Sequence, residues 1–65
     1  MKSKREYVCE LLKKNSDGLT IADISKLLGV SRNTVAVALA ELRGAGLIRL
    51  REIGMAKLHY WNGKH

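Results

Sequence analysis

Proline is absent from this chain, and cysteine occurs once, as Cys9. Without proline, repeats or low-complexity runs there is no sign of a linker. The 65 residues fit one domain, near the lower size limit for folding alone. A lone thiol cannot build an internal disulfide framework or a cysteine-based zinc site, which fits a reducing compartment. No apolar run approaches the roughly 18–20 residues that span a bilayer. The basic start, Met1-Lys2-Ser3-Lys4-Arg5, is not followed by the apolar segment and small-residue cleavage site of a signal peptide. A cytoplasmic location is the expectation.

Acids are scarce as well. Six Asp and Glu stand against 12 Lys and Arg, giving a formal net charge of +6 and a pI near 9.9. So basic a balance in so small a chain favours a polyanionic partner, most commonly nucleic acid. Catalytic signatures are missing too. His59 and His65 lie far from Cys9 and from any pair of carboxylates, so no metal or other cofactor is expected. Ser31, Thr34 and the scattered acids form no nucleophile–base–orienter set, and an enzyme is not expected.

What is present is helical periodicity followed by alternation. The first helix is predicted over about residues 3–14. Tyr7, Val8, Leu11 and Leu12 form its buried stripe, with Cys9 beside them, and Lys13 and Lys14 suit its negative end. Asn15-Ser16-Asp17-Gly18 is a turn cluster that stops it. Leu19 reads as a possible stub of edge strand. Thr20 is a good N-cap, with Asp23 three positions on in the manner of a capping box. The second helix is predicted over about residues 21–28, with Ile21, Ile24, Leu27 and Leu28 as its stripe. Gly29 suits the left-handed conformation that ends it, and Val30 plugs the turn.

A third helix, predicted over about residues 32–43, opens at the cap residue Ser31. Val35, Ala38, Leu39 and Leu42 face the core. Asn33, Ala36, Val37 and Ala40 lie opposite, flanked by Arg32 and Arg43. The helix ends at Gly44-Ala45-Gly46, and the period changes. Ile48 and Leu50 share one face of a strand and Arg49 and Arg51 the other. Leu58 and Tyr60 are expected inward on a second strand, with Ile53-Gly54-Met55-Ala56 between. The hairpin is predicted over about residues 47–61. Tyr60 and Trp61 should cover the helices with Tyr7, and Asn62 to His65 should fray.

Two helices joined by the short Gly29-Val30 turn define a helix-turn-helix, and the following hairpin makes the layout that of a winged helix-turn-helix, an α+β fold that is mostly helical. The run Ile24-Ser25-Lys26-Leu27-Leu28-Gly29-Val30-Ser31-Arg32-Asn33-Thr34-Val35 resembles the helix-turn-helix of many bacterial and archaeal transcription regulators. Leu39-Ala40-Glu41-Leu42-Arg43-Gly44-Ala45-Gly46-Leu47-Ile48 resembles the passage from recognition helix to wing, and the whole is most similar to the DNA-binding domains of the GntR, MarR and ArsR-like groups. The resemblance implies sequence-specific binding of double-stranded DNA by a small transcription regulator, often a homodimer. The third helix would enter the major groove, and the wing, residues 52–57, would lie near the backbone or minor groove. No small-molecule effector is implied. Ala36 and Val37 stand where GntR-type helices commonly carry Arg or another long polar residue.

The candidate DNA contacts follow. Arg32 can grip guanine or phosphate, and Asn33 can bond adenine on two atoms. Ser31, Thr34 and Thr20 offer hydroxyls to phosphate, while Ala36 and Val37 can touch thymine methyls. Lys26, Arg43, Arg49, Arg51 and Lys57 can follow a phosphate track. The alternative is a winged-helix protein-interaction module within a larger assembly, docking through the apolar face of the third helix and the wing tip.

Overall fold

Three caps divide the chain into its helices. The computed structural model describes residues 2–62. In α1 (Lys4–Lys14) the Ser3 hydroxyl accepts from the Glu6 backbone N–H at 3.2 Å, and the Glu6 carboxylate accepts from the Ser3 N–H at 2.8 Å. This reciprocal box satisfies donors that the first turn would otherwise leave open. Asn15 closes α1, its backbone N–H and side-chain Nδ2 both donating to the Leu11 carbonyl. In α2 (Ile21–Leu28), Thr20 and Asp23 form the same kind of box. Gly29 ends α2 in the left-handed region at φ 68°. The Ser25 hydroxyl then donates to the Val30 carbonyl at 2.5 Å and ties the turn. In α3 (Arg32–Gly44) the Ser31 hydroxyl accepts from the Thr34 N–H at 3.1 Å.

Strands β1 (Ile48–Ile53) and β2 (Ala56–Trp61) pair antiparallel, with Ile48 opposite Trp61 and Ile53 opposite Ala56. Gly54 and Met55 alone connect them. Gly54 has φ +60°, and among the described residues no non-glycine residue has a positive φ. A positive φ at the first central position only is the sign pattern of a type II′ turn, whose twist matches that of a hairpin. Leu19 pairs with His59 in an antiparallel bridge, so the expected strand stub exists, on the far side of β2 from β1. Three helices followed by a two-stranded antiparallel hairpin, mostly helical, is compatible with a winged helix-turn-helix.

The core gathers one side of the three helices, the Leu19 bridge and β1: Val8 and Leu12, Leu19, Ile24, then Val35, Ala38, Leu39 and Leu42, and Ile48. Each of the large aliphatic side chains contributes about 1.5–3 kcal/mol by leaving water. Cys9, Leu11, Ile21, Leu28, Val30 and Trp61 pack at its margin. The Arg5–Glu41 pair, 3.5 Å apart and exposed, links α1 to α3 but adds only about 0–1 kcal/mol.

The structure corrects four expectations. Tyr7 is 45% exposed and Leu27 is 60% exposed, so neither belongs to a buried stripe. Tyr7 lines a recess with Leu27, Leu28 and Val30 instead of joining Tyr60 and Trp61, because it lies on the flank of α1 turned toward α2. On β2 the inward residue is His59, 5% exposed, while Leu58 and Tyr60 share the sheet's outer face with Arg51 and Arg49. The bridge to Leu19 sets that phase. Finally, Asn62 is tied down, its N–H donating to the Leu47 carbonyl at 2.9 Å and its Nδ2 to the Gly46 carbonyl at 3.0 Å. Residues 63–65 lie outside the described range.

Candidate nucleic-acid interface

The crossing of α2 and α3, with the hairpin beside them, leaves a cleft of about 680 Å³. Thr20, Ile21 and Ala22 at the start of α2 form one wall, and Arg32, Asn33 and Ala36 on the first turns of α3 form the second. Met55, Ala56 and Lys57 close it from the hairpin. Two helix N-termini therefore border one cleft, and each presents positive partial charge and backbone N–H groups. Arg32 and Lys57 add full charges. Lys26 adjoins, sharing a recess with Ala22, Asp23, Ser25 and Arg32. Lys57 sits across from Glu52 in the hairpin register.

Asn33 stands on the crest of α3. It also lines a second hollow, of about 390 Å³, with Ser3, Lys4, Arg5, Thr34, Val37 and Glu41. Ala36 and Val37 are thereby divided: Ala36 is half-buried in the cleft, and Val37, 55% exposed, faces the hollow beside α1. Ser31, Thr34 and Thr20 are occupied with capping. Thr20 accepts from the Asp23 N–H at 3.1 Å, and the Ser31 and Thr34 hydroxyls lie 2.9 Å apart. A capping hydroxyl that accepts still has its own O–H to donate.

Thr20, Arg32, Asn33, Ala36 and Lys57 are brought together. Arg43, Arg49 and Arg51 are not in that group. Arg43 stands in the last turn of α3, near enough to His59 for its charge to be felt there. Arg49 shares a recess with Leu12, Lys13, Ser16, Tyr60 and Trp61, and Arg51 stands on the same outer sheet face. Lys13 holds its ammonium 4.6 Å from the centre of the Trp61 ring. Sequence reasoning missed Ile21 and Ala22 as cleft residues. The Thr20–Asp23 box was the available signal, since it fixes where α2 begins.

Among the described residues no three His, Cys, Asp or Glu side chains stand close enough to hold a metal ion. Burial pushes the Cys9 thiol pKa up. No described helix is long and apolar enough to cross a membrane.

A family model described as an HTH (helix-turn-helix) domain matches residues 4–55, from the first residue of α1 to the turn of the hairpin. The chain belongs to the HTH domain family. The match contains all three helices of this HTH domain and every cleft residue except Ala56 and Lys57. Strand β2 lies beyond it. No curated protein matches this HTH domain by sequence.

Proposed function

We propose that the chain is a sequence-specific binder of double-stranded DNA acting as a small transcription regulator. The first turns of α3 enter the major groove, and the wing, with Lys57, lies along the backbone or minor groove. The observation that carries this reading is the cleft itself. It joins two helix N-termini, Arg32, Asn33 and Lys57 on one side of the molecule. Phosphates supply the charge that such a cleft lacks, and Asn33 and Arg32 have the paired polar atoms that read base edges. Membership of the HTH domain family supports it. The likeness of Ile24–Val35 and Leu39–Ile48 to the GntR, MarR and ArsR-like groups supports a regulator of that kind, working in the cytoplasm without a small-molecule effector or catalysis. So small a reading head makes few contacts, and binding as a homodimer to a two-fold repeated site is part of the proposal.

A docking module would need a continuous apolar surface on α3 and the wing tip. Val37, the largest exposed apolar residue of α3, opens onto a different hollow from Ala36 and Met55, so the apolar face is divided, which favours the DNA reading. Fluorescence anisotropy with duplexes selected from a random pool tests it. Lys26, Arg32 and Lys57 are the cations at the cleft. Log K should therefore fall against log salt with a slope of about −3 for one protomer, and about twice that for a pair. No binding at about 50 mM salt, or a slope near zero, overturns the reading.

A further inference from the structure

Strand β1 has an open edge. Leu19 pairs with β2 and β2 with β1, and among the described residues no strand lies beyond β1. The phase of the ladder shows which of its backbone groups are free. His59 donates its N–H to the Leu19 carbonyl at 2.8 Å and accepts from the Leu19 N–H at 3.0 Å, so both its groups point away from β1. Alternation then turns Ala56, Leu58 and Tyr60 toward β1, where they meet Ile53, Arg51 and Arg49. The Asn62 N–H donating to the Leu47 carbonyl fits the same phase. Ile48, Leu50 and Glu52 are left with N–H and C=O groups directed outward, and no described backbone group pairs with them there.

The side chains decide what can complete this edge. Arg49 and Arg51 are exposed on the outer face of β1, and neither is within ion-pair distance of a described acid. Lys13 adds a further charge, in the recess it shares with Arg49. The one acid of β1, Glu52, is on the opposite face, across from Lys57. A second copy pairing its own β1 antiparallel to this one would set arginines against arginines on one face, which destabilises a sheet. The edge thus repels its own kind and attracts negative charge. Nucleic acid supplies the charge but has no backbone ladder to match the outward amides.

We propose that the open edge of β1 takes an extended acidic segment of a partner protein as an added strand. Its carboxylates stand at alternate positions beside Arg49 and Arg51, with apolar side chains between them next to Leu50. This site uses neither the cleft nor α3, and touches the wing of the DNA reading only at Glu52.

The test uses the full 65-residue chain, isotope-labelled, and a short peptide alternating glutamate and valine. At a peptide concentration about ten times Kd, amide exchange at Leu50 and Glu52 should slow by about tenfold. N-methylation of one alternate set of peptide amides should abolish binding, and methylation of the other set should spare it. The double variant R49E/R51E should lose the glutamate peptide and gain the corresponding lysine peptide, with the amide spectrum of α1 to α3 retained. Shifts at Arg49 and Arg51 without protection at Leu50 and Glu52, the pattern of a purely electrostatic contact, overturn the proposal. So do equal losses from both methylated sets, or equal binding of the lysine peptide.

Discussion

Leu19 and His59 exchange both of their backbone hydrogen bonds, at 3.0 and 2.8 Å, and this single pair settles which way β2 faces. It turns an imidazole into the core, where neither ring nitrogen finds a hydrogen-bond partner among the described residues. Burial first, then the positive charges of Arg43 and Lys57, hold the His59 pKa below its ordinary 6.5. The unfolded chain therefore binds this proton more readily than the folded one. The stability contributed by neutral His59 is complete above pH 6.5 and is lost as the pH falls through that value toward the lower folded pKa. Urea unfolding at a series of pH values from 7.5 downward should show this decline, and His59→Leu should flatten it. An unchanged slope in the variant would assign the decline to other groups.

Gly18 and Gly29 both have positive φ, but only Gly18 is crowded. A Cβ on Gly18 would lie 2.8 Å from Cζ of Tyr60, whereas a Cβ on Gly29 meets nothing within 4 Å. Gly29→Ala should cost about 1 kcal/mol from backbone strain. Gly18→Ala adds a collision with a ring on a paired strand and should cost about 2–4 kcal/mol. Equal unfolding midpoints for the two variants would mean that the ring moves aside freely.

The stripe of α2 is split by burial. Ile24 is fully buried and Leu27 is 60% exposed. Ile24→Ala should therefore cost about 2–5 kcal/mol, and in so small a chain it can abolish the folding transition. Leu27→Ala should stay within about 0.5 kcal/mol of the parent. Thermal or urea unfolding of the pair reads this directly, and a large loss from Leu27→Ala would show that the residue is covered in solution.

In the proposed complex, Asn33 and Lys57 act differently. Asn33→Ala should relax the preference at one base position, by about 1–3 kcal/mol of discrimination, and leave the salt slope unchanged. Lys57→Ala should weaken every duplex alike and reduce the salt slope by about 1. Anisotropy titrations against single-base variants of a selected site separate the two effects. If neither substitution alters binding, the cleft is not where DNA sits.

Local signals accounted for much of this architecture. Ser31 before an apolar-periodic run, Thr20 with Asp23, and Gly29 after Leu28 each act within a few residues, so the helices and their ends could be read along the chain. The hairpin was readable from the change of period, and the charge and the Ser31–Thr34 turn pointed to the start of α3, which borders the cleft of the proposed function. Other features depend on residues distant in sequence. The alternation Leu58-His59-Tyr60 fits either face equally well, and only the backbone bonds from Leu19 choose between them. The same choice places Lys57 in the cleft and turns Arg49 and Arg51 away from it. Likewise, Tyr7 and Leu27 have the spacing of core residues, but the angle at which α1 and α2 meet leaves them at the surface. The sequence by itself determined the elements, their caps and the excess of positive charge, because those follow from near neighbours and composition. Only the tertiary structure decided how that charge is shared between a cleft and an open strand edge, because the phase of a strand is set by the strand beside it.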